Sequence, residues 1–211
     1  MSQGNNKFKC FMINARNWSS ISKRDELELY IKQNKPDIVS ITETWATENI
    51  WEAELYIDGY VTYRRDRHEI RNTRGRGVII YISNGLSSCS YEELNTLQNE
   101  SVWVKIIEAG QKDFTVVGVC YRSQTATEKE IYDMFRAISI ASKHQALITG
   151  DFNYPGINWE TIEADSMSQG FLDLTQDCFL IQHVSVPTRN NNILDLVMTT
   201  EANMVENTQV I

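Results

Sequence analysis

No run of 18 or more apolar residues occurs in the sequence, so no helix able to span a bilayer, and no membrane partner, is expected. The first residues, Met1–Lys9, are polar and lack the apolar stretch of a secretory signal. Cys10, Cys89, Cys120 and Cys178 lie far apart, with no C-x-x-C spacing. That argues against a zinc site or a disulfide framework, and for reduced, mostly buried thiols of an intracellular protein. Histidine is scarce, confined to His68, His144 and His183. Internal repeats, low-complexity tracts and linkers are missing too. What remains is an ordinary globular composition, 42% hydrophobic and 23% charged. Its 211 residues suit one large domain, residues 1–211, with a substantial core.

The net charge of −8 argues against coating nucleic acid through bulk charge. The charge is uneven, however. Arg64, Arg65, Arg67, Arg71, Arg74 and Arg76 face only Asp66 and Glu69 within one short segment, a formal +4 that leaves −12 elsewhere. Such a loop is either simply solvated or a place to grip a polyanion through its phosphates.

Lys7–Asn14 reads as an apolar strand. A helix is expected from Ser22, with Leu27, Tyr30 and Ile31 on one face, ending before Pro36. Ile38–Ile41 follows as a buried strand that closes on Thr42-Glu43. Gly59–Tyr63 and Val78–Ile82 read as strands flanking the arginines, and Val102–Ile107 and Phe114–Cys120 as a pair joined near Gly110. Thr127–Glu130 is a capping box leading a helix through Ile138. Ala146–Thr149 is a strand breaking at Gly150-Asp151, Ser168–Asp177 a helix and Ile193–Thr199 a strand. Helices falling between more numerous strands predict an α/β arrangement of two packed sheets flanked by helices.

Buried strands here repeatedly end in a carboxylate or carboxamide: Asn14, Glu43, and Asp151 with Asn153. Asp195 lies inside Ile193–Val197, where strand propensity disfavours it. An ionised carboxylate in an apolar strand is costly unless paired, hydrogen-bonded or near a metal. Acids and amides converging at one sheet rim offer the oxygen ligands that a hard cation such as Mg²⁺ takes. Each also has a plainer reading. Glu43 serves as a solvated strand end, Asn14 as a cap, Gly150–Gly156 as turn chemistry, Asp195 as a structural hydrogen-bonding group, and Tyr121 as a core or rim residue. Their order along the chain favours the first interpretation.

That order resembles the endonuclease/exonuclease/phosphatase family, which includes deoxyribonuclease I and the abasic-site repair endonucleases. The resemblance rests on Asn14, Ile41–Trp45, Cys120-Tyr121-Arg122, Gly150–Asn153 and Leu194–Val197. It is similar in particular to the endonuclease domain of non-LTR (LINE-type) retrotransposons, through Asn14-Ala15-Arg16, Asp151–Pro155 with Trp159, and Pro187-Thr188-Arg189. Arg16 and Trp45 depart from the repair branch, which usually has an acid and a lysine there. The resemblance implies a four-layer sandwich of two mostly antiparallel sheets, and Mg²⁺-dependent hydrolysis of phosphodiesters, with Mn²⁺ as a substitute. It implies that Glu43 and Asn14 serve the metal, that Asp151, Asn153, Asp195 and Tyr121 are catalytic, and that Thr188 and Arg189 lie near DNA beside the arginine segment. It further implies a DNA-nicking enzyme with a downstream reverse transcriptase in a parent polyprotein, acting in the nucleus and otherwise cytoplasmic.

The family pattern should finish with a final strand and a Ser-Asp-His motif, the histidine being oriented by Asp195 as general base. The sequence reaches Ile211 without that triplet, so a domain lacking its last strand, of uncertain activity, is expected. Two alternatives stay open: a catalytically dead nucleic-acid-binding remnant, and a phosphatase or lipid phosphodiesterase of the same fold.

Overall fold

In the computed structural model, residues 8–16, 21–47, 49–66, 76–107, 110 and 113–210 are described. In chain order the elements are β1 (Cys10–Asn14), α1 (Ile21–Asn34), β2 (Ile38–Thr42), α2 (Glu52–Leu55), β3 (Tyr60–Arg65), β4 (Val78–Ser83), β5 (Ser87–Ser90) and α3 (Glu92–Asn95). They continue with β6 (Ser101–Ile107), β7 (Phe114–Tyr121), α4 (Glu128–Ala141), β8 (Gln145–Asp151), β9 (Ile157–Asn158) and β10 (Glu163–Ala164). The last are α5 (Gln169–Asp177), β11 (Ile181–Gln182), β12 (Asp195–Thr199) and a 3-10 turn at Ala202–Met204.

One sheet has the order β1-β2-β4-β3, the other β11-β12-β8-β7-β6-β5. Pairing is antiparallel except for β1 with β2 and β7 with β8. Both sheets are covered on both faces, which is why β2 and β4 read as continuous apolar runs. On one side of β4, Val78, Ile80 and Ile82 meet Val102, Val104, Ile106, Val117 and Val119 of the second sheet. On its other side, Ile79 and Tyr81 pack with Leu27 and Ile31 of α1. The outer face of the second sheet, with Trp103, Val116, Ala146 and Ile148, is covered by Met134, Ile138 and Phe171 of α4 and α5. The layers therefore run helix, sheet, sheet, helices, as expected.

Helix α4 begins where its capping box predicts. Thr127 Oγ1 accepts the Glu130 N–H, and Glu130 Oε2 accepts the Thr127 N–H at 2.7 Å. Thr127→Ala should therefore lower stability by about 1 kcal/mol. Urea unfolding tests this, and a change below a few tenths would remove the cap from the account.

Three expectations need correction. Cys10 and Cys89 are exposed rather than buried, because β1 and β5 are the outermost strands of their sheets. The strand expected over Ile193–Thr199 starts at Asp195, so this acid opens the strand instead of interrupting it. Arg64 and Arg65 belong to β3, not to a loop.

Candidate active site

The period-2 alternation of strands decides which side chains meet. On β8, Leu147, Thr149 and Asp151 share the face turned toward the first sheet; on β12, Asp195 shares it with Val197. Register sets Asp151 opposite Tyr121 on β7 and opposite Asp195 on β12, so the three form a row across adjacent strands. The end of the first sheet supplies the facing pair. Asn14 closes β1 opposite Thr42, and Glu43 follows β2 directly.

Asn14 joins the two groups. Its Nδ2 donates to Glu43 Oε1 at 2.8 Å and to Asp151 Oδ2 at 2.8 Å, spanning the gap between sheets. Arg189 Nη2 donates to the same Asp151 oxygen at 2.9 Å. Thr188 Oγ1 accepts the backbone N–H groups of Leu194 and Asp195, both at 3.1 Å, and so fixes the start of β12. Asn153, in the left-handed region at φ 53°, donates from Nδ2 to the Arg122 carbonyl at 2.8 Å, while Arg122 Nη1 donates back to the Asn153 carbonyl at 2.9 Å. The guanidinium of Arg122 lies over the Tyr154 ring at 4.1 Å. Gly150 permits the close approach of β8 to β7, since a Cβ there would sit 1.9 Å from the Cys120 carbonyl oxygen.

Electrostatically the site wants a cation. Asp151 is fully buried, and burial first, then the neighbouring Asp195 charge, raise its pKa to about 6 despite the Arg189 ion pair. Burial and the charges of Glu43 and Asp151 push the Tyr121 hydroxyl well above its usual range, so it remains a donor at any working pH. Among the described residues, Asp151 Oδ1 and Asp195 Oδ1 are both shut from solvent without a hydrogen-bond partner. Carboxylate oxygens left this way are costly. Hard oxygen donors with free lone pairs fit a hard divalent cation. Among the described residues no three acid, histidine or cysteine groups form a complete cage.

The sequence-predicted residues Asn14, Glu43, Tyr121, Asp151, Asp195 and Arg189 thus come together, with Asn153 and Thr188 bracing them. The arginine segment does not behave as expected where it is described. Arg64 pairs with Asp66 and donates to the Ile50 and Thr47 carbonyls at 3.0 and 3.1 Å. Arg65 donates to the carbonyls of Leu97, Asn95 and Asn99. Arg76 is buried between Glu100 and Glu130, at 3.0 and 2.8 Å. All three guanidinium groups bond internal acceptors, which counts against their assignment to DNA. Arg67, Arg71, Arg74 and His68 lie outside the described residues. His144 packs on Phe114, with centroids 4.5 Å apart, and His183 bonds Thr199 Oγ1 at 2.7 Å, so neither joins the site. Sequence reasoning names Arg122 only within the phrase Cys120-Tyr121-Arg122 and gives it no role; its adjacency to a strand-ending tyrosine is the available signal.

The model of the Endonuclease/Exonuclease/phosphatase family matches residues 10–208. No curated protein sequence matches the chain at a significant level. Among solved structures, the fold is similar to the endonuclease domain of TRAS1, a telomere-specific non-LTR retrotransposon, at 17% identity and TM-score 0.65, over 92% of this chain and 85% of that one. It is also similar to the AP endonuclease LMAP from Leishmania major, at 12% identity and TM-score 0.65, over 91% and 78%. A third likeness is to the 3′ phosphatase NExo from Neisseria, bound to product DNA hairpin, at 13% identity and TM-score 0.59, over 91% and 86%.

Proposed function

This chain belongs to the endonuclease/exonuclease/phosphatase family, and from that premise we propose that it hydrolyses phosphodiester bonds in DNA as the nicking endonuclease of a non-LTR retrotransposon. The observation that carries the reading is the Asn14 clamp, which holds Glu43 and Asp151 from two different sheets around unpartnered, buried carboxylate oxygens. The retrotransposon assignment is supported by the phrases Asn14-Ala15-Arg16 and Pro187-Thr188-Arg189, and by the likeness in fold to the TRAS1 domain. It implies a reverse transcriptase as partner and the nucleus as place of action.

Glu43, with Asn14 in support, would hold Mg²⁺ or Mn²⁺. When bound, such a cation would supply charge neutralisation at the phosphoryl and leaving oxygens. Tyr121 donates a hydrogen bond to a phosphate oxygen, and that bond strengthens as negative charge develops. Asp151, with its raised pKa, is ionised at neutral pH and still basic enough to take a proton from an attacking water. Arg189 offsets the carboxylate charge and stands beside the entering phosphate. Thr188 and Arg122 do not touch the reacting atoms; they fix Asp195 and Asn153.

Conversion of supercoiled plasmid to nicked circles across a Mg²⁺ series tests the reading, with a phosphoinositide as competing substrate class. Plasmid binding without nicking would favour the non-cleaving remnant, and preferred hydrolysis of the lipid headgroup would favour the phosphatase reading. Tyr121→Phe should lower the nicking rate by about 10²-fold, the loss typical of one donor aimed at developing charge. A variant as fast as wild type would leave Tyr121 as rim packing alone.

A further inference from the structure

We infer that Arg76 is a positioning residue, which keeps Glu43 in the conformation that faces Asp151. The inference rests on the reading of Glu43 as a cation ligand, but the route to it is structural. Glu43 and Trp45 both sit in the left-handed region, at φ 52° and 56°. Non-glycine residues rarely adopt that backbone, and two within three positions require the surroundings to impose it. The surroundings that do so are Arg76 and Gly77. The Thr44 N–H donates to the Gly77 carbonyl at 3.1 Å, and the Trp45 N–H donates to the Arg76 carbonyl at 2.9 Å.

Arg76 and Gly77 are themselves anchored to the opposite sheet. Arg76 Nη1 donates to Glu100 Oε1 and to Glu130 Oε1, and the Gly77 N–H donates to Glu100 Oε2 at 3.1 Å. Glu130 belongs to the capping box of α4, and the Glu100 carbonyl accepts the Tyr121 N–H at 2.8 Å. One buried guanidinium therefore ties the Glu43 turn to the strand end that carries Tyr121. The fit is tight: a Cβ on Gly77, whose φ is 83°, would lie 2.4 Å from Thr44 Oγ1. Among the described residues, the bonds from Arg76 and Gly77 to the Glu43 turn are those two backbone hydrogen bonds, so the influence passes through backbone.

The experiment measures Mn²⁺ affinity by the loss of the free-ion electron paramagnetic resonance signal, together with the melting midpoint, in four proteins. These are wild type, Glu43→Gln, Gly77→Ala, and the combined Arg76→Met, Glu100→Gln, Glu130→Gln variant. The combined variant avoids leaving one buried charge alone, which by itself would unfold the region. Supporting bracing residues commonly change metal affinity by about 10- to 100-fold. Glu43→Gln and the combined variant should each weaken Mn²⁺ binding by about tenfold or more, the latter while still melting cooperatively. Gly77→Ala should do the same with every ion pair intact, and it decides the matter if the combined variant does not fold. Wild-type Mn²⁺ affinity in the folded Arg76 and Gly77 variants, with Glu43→Gln impaired, overturns the positioning role alone. Wild-type affinity in Glu43→Gln overturns the cation reading of Glu43 and the inference with it.

Discussion

Glu43→Ala should lower Mg²⁺-stimulated nicking by about 10³-fold and leave the melting midpoint close to wild type. The magnitude follows from what a cation contributes at phosphoryl oxygens: several kcal/mol of transition-state stabilisation, where each 1.36 kcal/mol is a factor of ten. The small stability effect follows from position. Glu43 is only half-buried, lies past the end of β2, and its carboxylate is bonded to Asn14 rather than to core groups. Removing it leaves Asn14 still donating to Asp151. The backbone at φ 52° is as unfavourable for alanine as for glutamate, so local strain is not relieved. Plasmid nicking over a Mg²⁺ series provides the rate, and thermal unfolding without metal provides the stability. More than a tenth of wild-type activity in a folded variant would exclude Glu43 from the site.

Asp151→Asn should be inactive yet more stable, and only above acidic pH. Burial and the Asp195 charge raise the Asp151 pKa from 3.8 to about 6 in the folded protein. Between those values the folded state binds the extra proton and the unfolded chain does not. Stability therefore falls as pH rises through this window, and stays low above it. A carboxyl raised from 3.8 to about 6 carries a penalty of about 3 kcal/mol at neutral pH. Asparagine carries no charge, and its amide oxygen retains the acceptor that serves Asn14 and Arg189. The variant should gain up to about 3 kcal/mol at pH 7 and converge on wild type below pH 4, in denaturant unfolding with chelator present. A gain that is the same at both pH values would show that packing, not ionisation, causes it. A stabilised but dead variant would place the cost of folding at the chemistry itself.

Much of this was legible in the sequence, because the core obeys simple periodicities. The continuous apolar runs of β2 and β4 announced strands covered on both faces, and the Thr127–Glu130 pattern announced α4. The site was legible where polar residues broke those runs at strand ends: Asn14, Glu43, Asp151 and Asp195. The short strands β5, β9, β10 and β11 were not legible, since two to four residues carry too little alternation to stand out from turns. The arginines misled for a different reason. A count of charge along the chain does not reveal which guanidinium groups find internal acceptors, and Arg76 finds two glutamates 24 and 54 residues away. In sequence Asp195 reads as the interior of a strand, because Ile193 and Leu194 extend the apolar pattern. The Thr188 hydroxyl captures the Leu194 and Asp195 N–H groups first, so the ladder opens at the acid.

Among the described residues the two sheets share no strand, so no hydrogen-bond ladder there sets how far one slides over the other. That offset is held by interdigitated side chains and by polar ties such as the Asn14 amide at the site itself. Glu43 travels with one sheet, and Tyr121, Asp151 and Asp195 with the other. Shear of a fraction of an ångström between the layers thus becomes misalignment of the reacting groups, with every strand still fully paired. Cold or pressure, which loosen apolar contacts before they break ladders, would silence such a molecule while it still looked folded by any measure of secondary structure.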